Sequence, residues 1–357
     1  MTSKHIVIGT GAIAHAHAAA VIAQEGRGSL VHAIDVDVAR AEEFAAKHDI
    51  DRWGTDLAEA LAERPDLAHV CTPPGTHVPL TVQCLEAGVP VLLEKPPVLS
   101  LAEMDELVAA SERTGADVAV VFQHRFGRAA RSIGALLAEG AYGRPLVATC
   151  DTLWFRAPAY FEVPWRGKWE VEGGGPTMGH GIHQFDLLLA LLGPWSEVTA
   201  MAGRQARDTQ TEDVSTALVR FENGAMATIV NSVVSPRETS TIRIDTERAT
   251  IEVEHLYGYA DRDWTITPAP GEEAVLDLWT PTEDTALSEH RFQVAALMEA
   301  MERGEKLPVS LQDARVTMEL VASIYASAFT GQVVRRGDIG PGHDFYDKMN
   351  GSGAPWA

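Results

Sequence analysis

Short apolar runs and longer stretches of helical spacing alternate along the first third of the chain. The apolar runs, typical of buried strands, cover residues 5–9, 30–35, 67–72, 89–94 and 118–122. The helical stretches cover residues 13–23, 38–47, 56–63, 76–87 and 101–113. This alternation is typical of βαβ units, so it predicts an α/β domain with a parallel sheet over residues 1–123.

The pattern changes after about residue 124. A helix predicted over residues 128–139 precedes a long strand over residues 145–155. Further strands with short connections are predicted at residues 198–202, 214–221, 225–233, 240–244 and 249–254. Consecutive strands of this kind favour antiparallel pairing, so residues 124–337 are predicted to form a second domain of the α+β class.

Local signals predict a turn, the ends of a helix and the C-terminal segment. Asn223 and Gly224 predict a two-residue hairpin turn in which both residues have positive φ. Ser310, with Asp313 three residues later, predicts the start of a helix over residues 311–330, and Gly331 predicts its end. Residues 338–357 are rich in Gly, Pro and Ser and are predicted to form an extended tail.

Composition narrows the classes of partner and compartment. The 357 residues include 46% hydrophobic residues and carry a formal net charge of −21, which disfavours nucleic acid and anionic membranes as partners. We find no apolar run long enough to span a bilayer and no signal-peptide pattern. Cys71, Cys84 and Cys150 are far apart and are interpreted as buried hydrophobic residues in a reducing, cytoplasmic setting.

A dinucleotide-binding pattern follows the first predicted strand. Residues 9–14 fit GxGxxA, with Gly9, Gly11, Ala12, Ile13 and Ala14 as the expected cofactor contacts. Glycines allow the backbone to turn and to approach a pyrophosphate at the start of the next helix. The alternative is a simple glycine-rich turn.

Asp35 ends the second predicted strand, where a carboxylate can accept hydrogen bonds from the adenine ribose. Val36 follows it, at a position where a 2′-phosphate would want a cation, and we expect no cation to offset the carboxylate. These residues predict NAD as the cofactor, preferred over NADP. The alternative is that Asp35 only caps the next helix, a role that Asp37 could also fill.

Two further strand ends meet the same edge of the predicted sheet. Thr72, Pro73 and His77 follow one strand, and Glu94 and Lys95 end the next. Ligands bind at this edge of parallel sheets, so these residues are expected to contact the cofactor, and Lys95 also the substrate. A partly desolvated lysine can hold a substrate hydroxyl. The alternatives are an ordinary proline-rich turn and a solvated lysine.

The second predicted domain contains a glycine run, Gly173-Gly174-Gly175, that leads into a segment with His180 and His183. An imidazole titrates near neutrality and can accept the proton of an alcohol during its oxidation. Because the two histidines are three positions apart, they are expected to share a helix face. No carboxylate or cysteine partner stands out, so no metal site is predicted here. The alternative is that each histidine is simply packed.

The order of these motifs resembles the Gfo/Idh/MocA oxidoreductase family over residues 4–330. The specific features are the Glu94-Lys95-Pro96 motif and the glycine run followed by His183. The resemblance implies an N-terminal Rossmann domain and a C-terminal domain with a large, open, mainly antiparallel sheet. It also implies that Lys95 contacts substrate near the nicotinamide and that His183 is an acid–base residue.

This chain lacks one residue of the family pattern, and the pattern implies two further cofactor contacts. Many members carry Asp four residues before the histidine, where this chain has Gly179, so His180 is the candidate replacement. The family pattern also implies cofactor contacts for Arg125 and for the Trp165-Arg166 segment.

Aromatic and basic residues ahead of the glycine run suggest a substrate pocket. Trp154 and Tyr160 could stack on the apolar face of a sugar, although a core or subunit-interface role is the alternative. Arg156, with Arg166, could instead bind a carboxylate substrate. The leading hypothesis is hydride transfer between a nicotinamide cofactor and a secondary hydroxyl of a sugar, polyol or glycoside.

Two other functions remain open from the residues. One is an NAD-dependent glycosidase or eliminase that oxidises its substrate transiently, and the other is a non-catalytic dinucleotide-binding regulator. The antiparallel sheet can cover only one face with its own helices, so we expect a homodimer or homotetramer.

Overall fold

The computed structural model describes residues 2–283 and 285–356. The strands are β1 (Ser3–Ile8), β2 (Gly28–Ile34), β3 (Trp53–Gly54), β4 (Leu67–Val70), β5 (Val91–Leu93), β6 (Val118–Val120), β7 (Pro145–Phe155), β8 (Trp195–Gly203), β9 (Val214–Phe221), β10 (Met226–Ser232), β11 (Val234–Thr246), β12 (Ala249–His255), β13 (Trp264–Pro268) and β14 (Val334–Arg335). The α-helices are α1 (Ala14–Ile22), α2 (Val38–Lys47), α3 (Leu57–Ala62), α4 (His77–Glu86), α5 (Leu101–Thr114), α6 (Arg128–Ala138), α7 (Trp169–Glu172), α8 (Ile182–Leu192), α9 (His290–Arg303), α10 (Leu311–Thr330) and α11 (Asp344–Asp347).

The chain divides into two compact units. The first unit contains Met1–Val98, Glu103–Gln123 and Glu289–Ala314, and the second contains Leu99–Ala102, His124–Ser288 and Arg315–Ala357. The end of the middle segment at Gln123 coincides with the predicted end of the first domain.

The first unit is built on a six-stranded parallel sheet with the order β3-β2-β1-β4-β5-β6. Ile8 of β1 pairs in parallel with Ile34 on one side and with Val70 on the other. The strand order reverses between β1 and β4, so the loops after these strands flank a topological switch point, where such sheets bind ligands. The predicted parallel α/β fold is confirmed.

Two apolar clusters pack helices onto one face of this sheet, because Val7, Leu67 and Leu92 all point to the same side in the strand register. One cluster contains Val7, Phe44 and Ile50 with the small residues Ala14 and Ala18 of α1, which let that helix pack closely on the strands. The other contains Leu67 and Leu92 of the sheet together with Leu297 of α9. Burial of side chains of this size stabilises the sheet by about 1.5–3 kcal/mol each.

Helix α9 is the largest element that the sequence pattern did not predict. Its residues lie in the range 124–337 assigned to the second domain, yet Glu289–Ala314 packs within the first unit. Gln293 explains part of this, because its amide group donates to the Val120 carbonyl at 2.7 Å and accepts the Phe122 amide at 3.2 Å. One polar side chain thereby completes the hydrogen bonding at the end of β6.

The second unit contains an eight-stranded sheet with the order β13-β12-β11-β7-β10-β9-β8-β14. β7 and β10 pair in parallel, and the other neighbouring strands pair antiparallel. Along β9, buried and exposed residues alternate strictly from Ser215 to Phe221, as expected for a sheet with one covered face. The predicted, mainly antiparallel sheet is confirmed.

The hairpin between β9 and β10 differs from the prediction. Gly224 has φ +91°, but Asn223 is not among the residues with positive φ. The Phe221 amide donates to the Ala225 carbonyl at 2.9 Å, and the Gly224 amide donates to the Phe221 carbonyl at 3.0 Å. The loop is therefore a three-residue turn with glycine in the bulge position rather than a two-residue turn. The side chain of Asn223, rather than its backbone conformation, has a specific role here: its amide donates a hydrogen bond to the Leu192 carbonyl.

The C-terminal segment is packed rather than extended, which corrects the prediction for residues 338–357. Ile339, Phe345 and Met349 are buried. The Trp356 ring lies 5.1 Å from the Phe329 ring, and its Nε1 donates to the Gln210 carbonyl at 3.0 Å. Apolar residues placed between the glycines of this segment anchor it to the second unit.

The three cysteines are free and buried. Burial raises the pKa of the Cys84 thiol to about 12 and holds those of Cys71 and Cys150 well above the ordinary range. Their thiols are therefore unreactive at neutral pH. In the part of the chain that the structure describes, no helix has the length and hydropathy to cross a membrane.

Candidate active site

The glycine loop after β1 has the shape that a dinucleotide requires. Gly9 has φ +86°, and a Cβ atom there would lie 2.6 Å from Cγ2 of Thr72. At Gly11 a Cβ atom would meet no atom of the described residues within 4 Å, so the backbone is open on this side. The α1 helix begins at Ala14, directly after the loop. These features fit a bound pyrophosphate at the start of α1.

Asp35 is held rigidly at the end of β2. Its Oδ2 accepts the amide and hydroxyl of Thr10, and its Oδ1 accepts the Asp37 amide, each at 2.9 Å. Burial raises the pKa of Asp35, but these hydrogen bonds and the charge of Arg40 outweigh burial and lower the pKa overall. Asp37, rather than Asp35, caps α2, because its side chain accepts the amides of Ala39 and Arg40.

Arg40 corrects the expectation that no cation offsets Asp35. Its guanidinium donates to Oδ1 of Asp35 at 2.9 Å, and the side chain is 55% exposed. Val36, the residue next to the carboxylate, carries no charge, so it gives no sign of this cation. One turn into α2 brings the residue at position 40 back beside the strand end, where a 2′-phosphate would lie.

Three residues after β4 were predicted to contact the cofactor, and they differ in exposure. Thr72 is half-buried and Pro73 is exposed, so both are accessible at this edge. His77 is fully buried, and its ring lies between the Thr72 carbonyl at 2.7 Å and the Pro97 carbonyl at 3.1 Å. The His77 ring therefore joins two loops of the protein, and its cofactor contact stays a prediction.

Glu94 and Lys95 have different surroundings although they are adjacent. Glu94 is buried, and its carboxylate accepts hydrogen bonds from His17, His290 and the Lys95 amide, while its cofactor contact stays a prediction. Lys95 is half-buried. Burial lowers the pKa of the Lys95 amine, and the Glu94 charge opposes this shift.

In the second unit the glycine run is held by a buried carboxylate that the sequence analysis missed. Glu212 accepts the amides of Gly175 and Thr177 at 2.9 and 3.1 Å and the Tyr325 hydroxyl at 2.8 Å. A Cβ atom at Gly174 would lie 2.1 Å from the Tyr325 hydroxyl oxygen. The run therefore consists of glycines because protein atoms surround it. An acidic residue just before a strand gave no signal of this role.

A π-helical turn, Thr177–Gly181, precedes α8. A Cβ atom at Gly181 would lie 1.7 Å from Oδ1 of Asn231, so only glycine fits. A Cβ atom at Gly179 would meet no described atom within 4 Å. π-Helical turns inside helices are rare and occur often at functional sites.

The two candidate histidines lie on either side of the end of this turn and have different neighbours. The His180 ring lies 5.0 Å from Trp154 and 6.4 Å from Tyr160. The His183 ring is buried, 5.2 Å from the His124 ring and 5.5 Å from the Tyr257 ring. His180 lies in the π-helical turn and His183 in α8, so the spacing between them is not that of one regular α-helix.

The two neighbourhoods join into one aromatic cluster. Trp154 and Tyr257 are 6.0 Å apart, which links the surroundings of His180 to those of His183. Trp154 and Tyr160 were predicted to line a substrate pocket, whereas His124 and Tyr257 were not predicted. His124 follows the last Rossmann strand and Tyr257 follows β12, and neither belongs to a motif.

Two arginines extend this cluster toward solvent. Arg156 lies over the Trp154 ring at 4.8 Å and over the Tyr160 ring at 5.4 Å. Arg166 lies over Tyr160 at 3.8 Å and over Trp165, which is exposed, at 4.3 Å. The second unit thus combines flat aromatic surfaces with cations, which suits a polar, ring-shaped ligand.

Arg125 has a structural partner rather than the open position that a cofactor contact suggests. Its Nε and terminal nitrogen each donate to the Asp186 carboxylate at 2.7 Å. Asp186 is buried and also accepts the Thr317 hydroxyl at 2.8 Å. A buried bidentate pair fixes the orientation of α8, which carries Asp186 together with His183.

Comparison with known proteins agrees with both units. A sequence profile described as "Oxidoreductase family, NAD-binding Rossmann fold" matches residues 4–122, and one described as "GFO/IDH/MocA C-terminal domain" matches residues 130–252. The WlbA dehydrogenase from Bordetella pertussis, solved with NADH and UDP-GlcNAcA, has the same fold, with a TM-score of 0.80 and 24% identity over 94% of this chain and 99% of that chain.

Two similar curated proteins are sugar dehydrogenases. D-glucoside 3-dehydrogenase of Escherichia coli (strain K12) is 26% identical, over 93% of this chain and 97% of the relative. D-apiose dehydrogenase of Paraburkholderia graminis is 27% identical, over 93% of this chain and 89% of the relative. The chain belongs to the Gfo/Idh/MocA family of oxidoreductases.

Proposed function

We propose that the protein is an NAD-dependent dehydrogenase of a secondary hydroxyl on a sugar, polyol or glycoside. The observation that carries the proposal is the cluster of His180, His183, Trp154 and Tyr160 within the second unit. Acid–base side chains beside flat aromatic rings suit a hydroxylated ring. The names of the curated relatives, which act on a glucoside and on apiose, support the same substrate class.

NAD fits the first unit. Gly9, Gly11 and the start of α1 would hold the pyrophosphate, Asp35 the adenine ribose, and Thr72 with Pro73 would line the edge near Lys95. Bound NAD would supply the oxidant for the carbon–hydrogen bond of the substrate.

The chain's own residues supply binding and proton transfer. Nζ of Lys95, as an ammonium, donates a hydrogen bond to the substrate oxygen and stabilises negative charge on it. The His183 imidazole accepts the hydroxyl proton. Trp154, Tyr160 and Arg156 orient the ring, and His180 assists in place of the carboxylate that Gly179 lacks. Trp165 and Arg166 are proposed to border the same ligand.

Cofactor preference depends on Asp35 and Arg40 together. We expect NAD to give the higher kcat/KM because Asp35 repels a 2′-phosphate, while Arg40 permits weak use of NADP. Arg40→Ala should lower kcat/KM for NADP more than for NAD. Asp35→Ser with Val36→Arg should move the preference toward NADP by about tenfold or more, since it removes one charge and adds another. Steady-state kinetics with each cofactor checks this, and a wild-type preference for NADP would contradict it.

We also propose that the exposed face of the second sheet joins two copies of the chain. Met201, Leu218, Met226 and Val147 are 75%, 63%, 52% and 46% exposed on neighbouring strands. They share this face with Thr199, Thr216 and the Glu197–Arg220 ion pair. Large apolar side chains exposed together on one sheet face often mark an interaction surface. In an isologous dimer the same face of each copy would cover these side chains, and a tetramer could be built from two such dimers.

Leu218→Glu should therefore dissociate the oligomer. In a two-fold symmetric interface the glutamates of the two copies would lie close together, away from water and without a cation. Association should therefore weaken by a factor of about 100 or more. Light scattering should give a multiple of 38.5 kDa for the wild type and 38.5 kDa for the variant. Leu276→Glu, at an exposed leucine outside this sheet, is the control. A monomeric wild type at micromolar concentration would refute the proposal.

A reducing cytoplasm is the compartment that we propose, and the three free, buried cysteines support it.

A further inference from the structure

A chain of buried histidines in the first unit leads to Glu94. Nδ1 of His5 lies 2.8 Å from Nε2 of His69, and Nδ1 of His69 lies 2.9 Å from Nδ1 of His17. Nε2 of His17 lies 2.9 Å from Oε1 of Glu94, and Nε2 of His290 lies 3.2 Å from the same oxygen. His5, His69 and His17 are fully buried, and His290 is 8% exposed.

With every ring neutral, these contacts allow one consistent placement of the protons. An ionised Glu94 only accepts, so His17 and His290 donate to it through Nε2. His17 then accepts at Nδ1 from His69, and His69 accepts at Nε2 from His5. Every ring is neutral in this arrangement, and each contact holds one proton. Burial favours neutral rings, since it lowers the pKa of His17 and His69 and brings that of His5 to about 4.

Glu94 connects this chain to Lys95. Its Oε2 accepts the Lys95 amide at 3.0 Å. Burial raises the pKa of Glu94, but the hydrogen bonds from His17 and His290 outweigh burial and hold the pKa well below its ordinary value.

Other titratable groups also face Glu94 and feel its charge. The Glu94 charge adds to burial in raising the pKa of the Cys71 thiol. At His77 and Lys95, burial lowers the pKa and the Glu94 charge opposes it.

We propose that His17 and His290, supported by His69 and His5, are positioning residues that keep Glu94 ionised and thereby keep Lys95 an ammonium ion while it holds the substrate oxygen. The proposal rests on the proposed function for the role of Lys95. The histidines never touch the substrate in this account. They act only through the charge of one buried carboxylate.

The expected sign follows from the charges. Without a donor from His17 or His290, Glu94 takes up a proton more easily and its negative charge is lost. Lys95 then releases its proton at lower pH, because a neighbouring negative charge no longer favours the ammonium. The alkaline limb of kcat/KM therefore moves to lower pH, with a loss of about tenfold or more on the alkaline side in Glu94→Gln. The alkaline limb should move furthest in Glu94→Gln, less in His17→Ala and least in His5→Ala.

The experiment measures Lys95 directly. In protein labelled with ¹³C at lysine Cε, the Lys95 signal is assigned by its absence in Lys95→Met and titrated with NAD but without substrate. We expect its midpoint to fall in Glu94→Gln and in His17→Ala. His290→Gln, at the least buried of the four histidines, is the second variant if His17→Ala does not fold.

His32→Gln is the matched control. His32 is a buried histidine of β2, and its Nδ1 lies 3.4 Å from Glu63 instead of Glu94. Its loss should lower Tm and leave the Lys95 titration unchanged.

Three outcomes separate the explanations. An unchanged Lys95 midpoint in folded Glu94→Gln and His17→Ala would overturn the proposal and leave the histidines a structural role. The ligand atoms of His17, Glu94 and His290 lie within 4.8 Å of one another, a spacing that a divalent cation could also use. A stoichiometric metal in the purified protein that is lost in His290→Gln would overturn the proton assignment. Shifted midpoints without dehydrogenase activity on any substrate would support the network and refute the proposed function.

Discussion

Replacing Lys95 with methionine is expected to reduce kcat by about 10²–10⁴ while NAD binding is retained. Methionine keeps the apolar stem of lysine and removes the ammonium that would hold the substrate oxygen. A loss of this size corresponds to about 3–5.5 kcal/mol of transition-state stabilisation. Stopped-flow measurement of NADH formation gives kcat, and fluorescence titration gives the affinity for NAD.

Lys306→Met is the control for the loss of a positive charge, because Lys306 is an exposed lysine of the first unit. It should leave kcat unchanged within twofold. Full activity in Lys95→Met would exclude Lys95 from the chemistry.

Replacing His183 with asparagine is expected to lower kcat by a similar factor. Asparagine can donate a hydrogen bond but cannot accept a proton near neutral pH, so the general base is lost. The buried ring packs against His124 and Tyr257, so part of the effect could come from packing, and a Tm measurement separates the two. If Lys95 and His183 act on the same step, the double variant should lose little more than either single variant.

His180→Asn distinguishes the two histidines. A loss of tenfold or more would mean that His180 compensates for the missing carboxylate at Gly179, and a silent change would assign the base to His183 alone. Gly179→Asp is sterically allowed, because a Cβ atom there meets no described atom within 4 Å. In the His180→Asn background it should restore activity. An unaffected His183→Asn enzyme would contradict the proposed base.

Periodicity predicted most of the fold because the apolar residues of both sheets follow strand and helix spacing. The α2 helix begins and ends at the predicted residues because Asp37 caps it and Lys47 ends its amphipathic pattern. The α9 helix was missed because it follows a long irregular segment and carries no N-cap side chain, as Glu289 makes no capping bond. Its return to the first unit rests on contacts such as that between Gln293 and Phe122, which are 171 positions apart in the chain, and on the packing of Leu297 against the sheet.

The candidate site was predictable where a residue lies in a motif and unpredictable where it acts through space. Lys95 precedes a proline pair and His183 follows a glycine run, so the sequence marks both as candidates. Arg40, Glu212 and Asp186 reach their partners through folding, and their positions in the sequence carry no signal. For His77 the motif was recognised, but burial turned the ring toward backbone carbonyls.

The central claim is tested most directly by NADH formation from NAD across glucose, inositols, anhydrosugars and aryl glycosides. The account predicts that at least one of these compounds yields one NADH for each molecule oxidised, and that Lys95→Met abolishes the signal. Substrate consumption without net NADH would indicate transient oxidation instead. If none of them reacts in either direction while a small hydroxy acid or a pyrrole-type compound does, the carbohydrate assignment is contradicted.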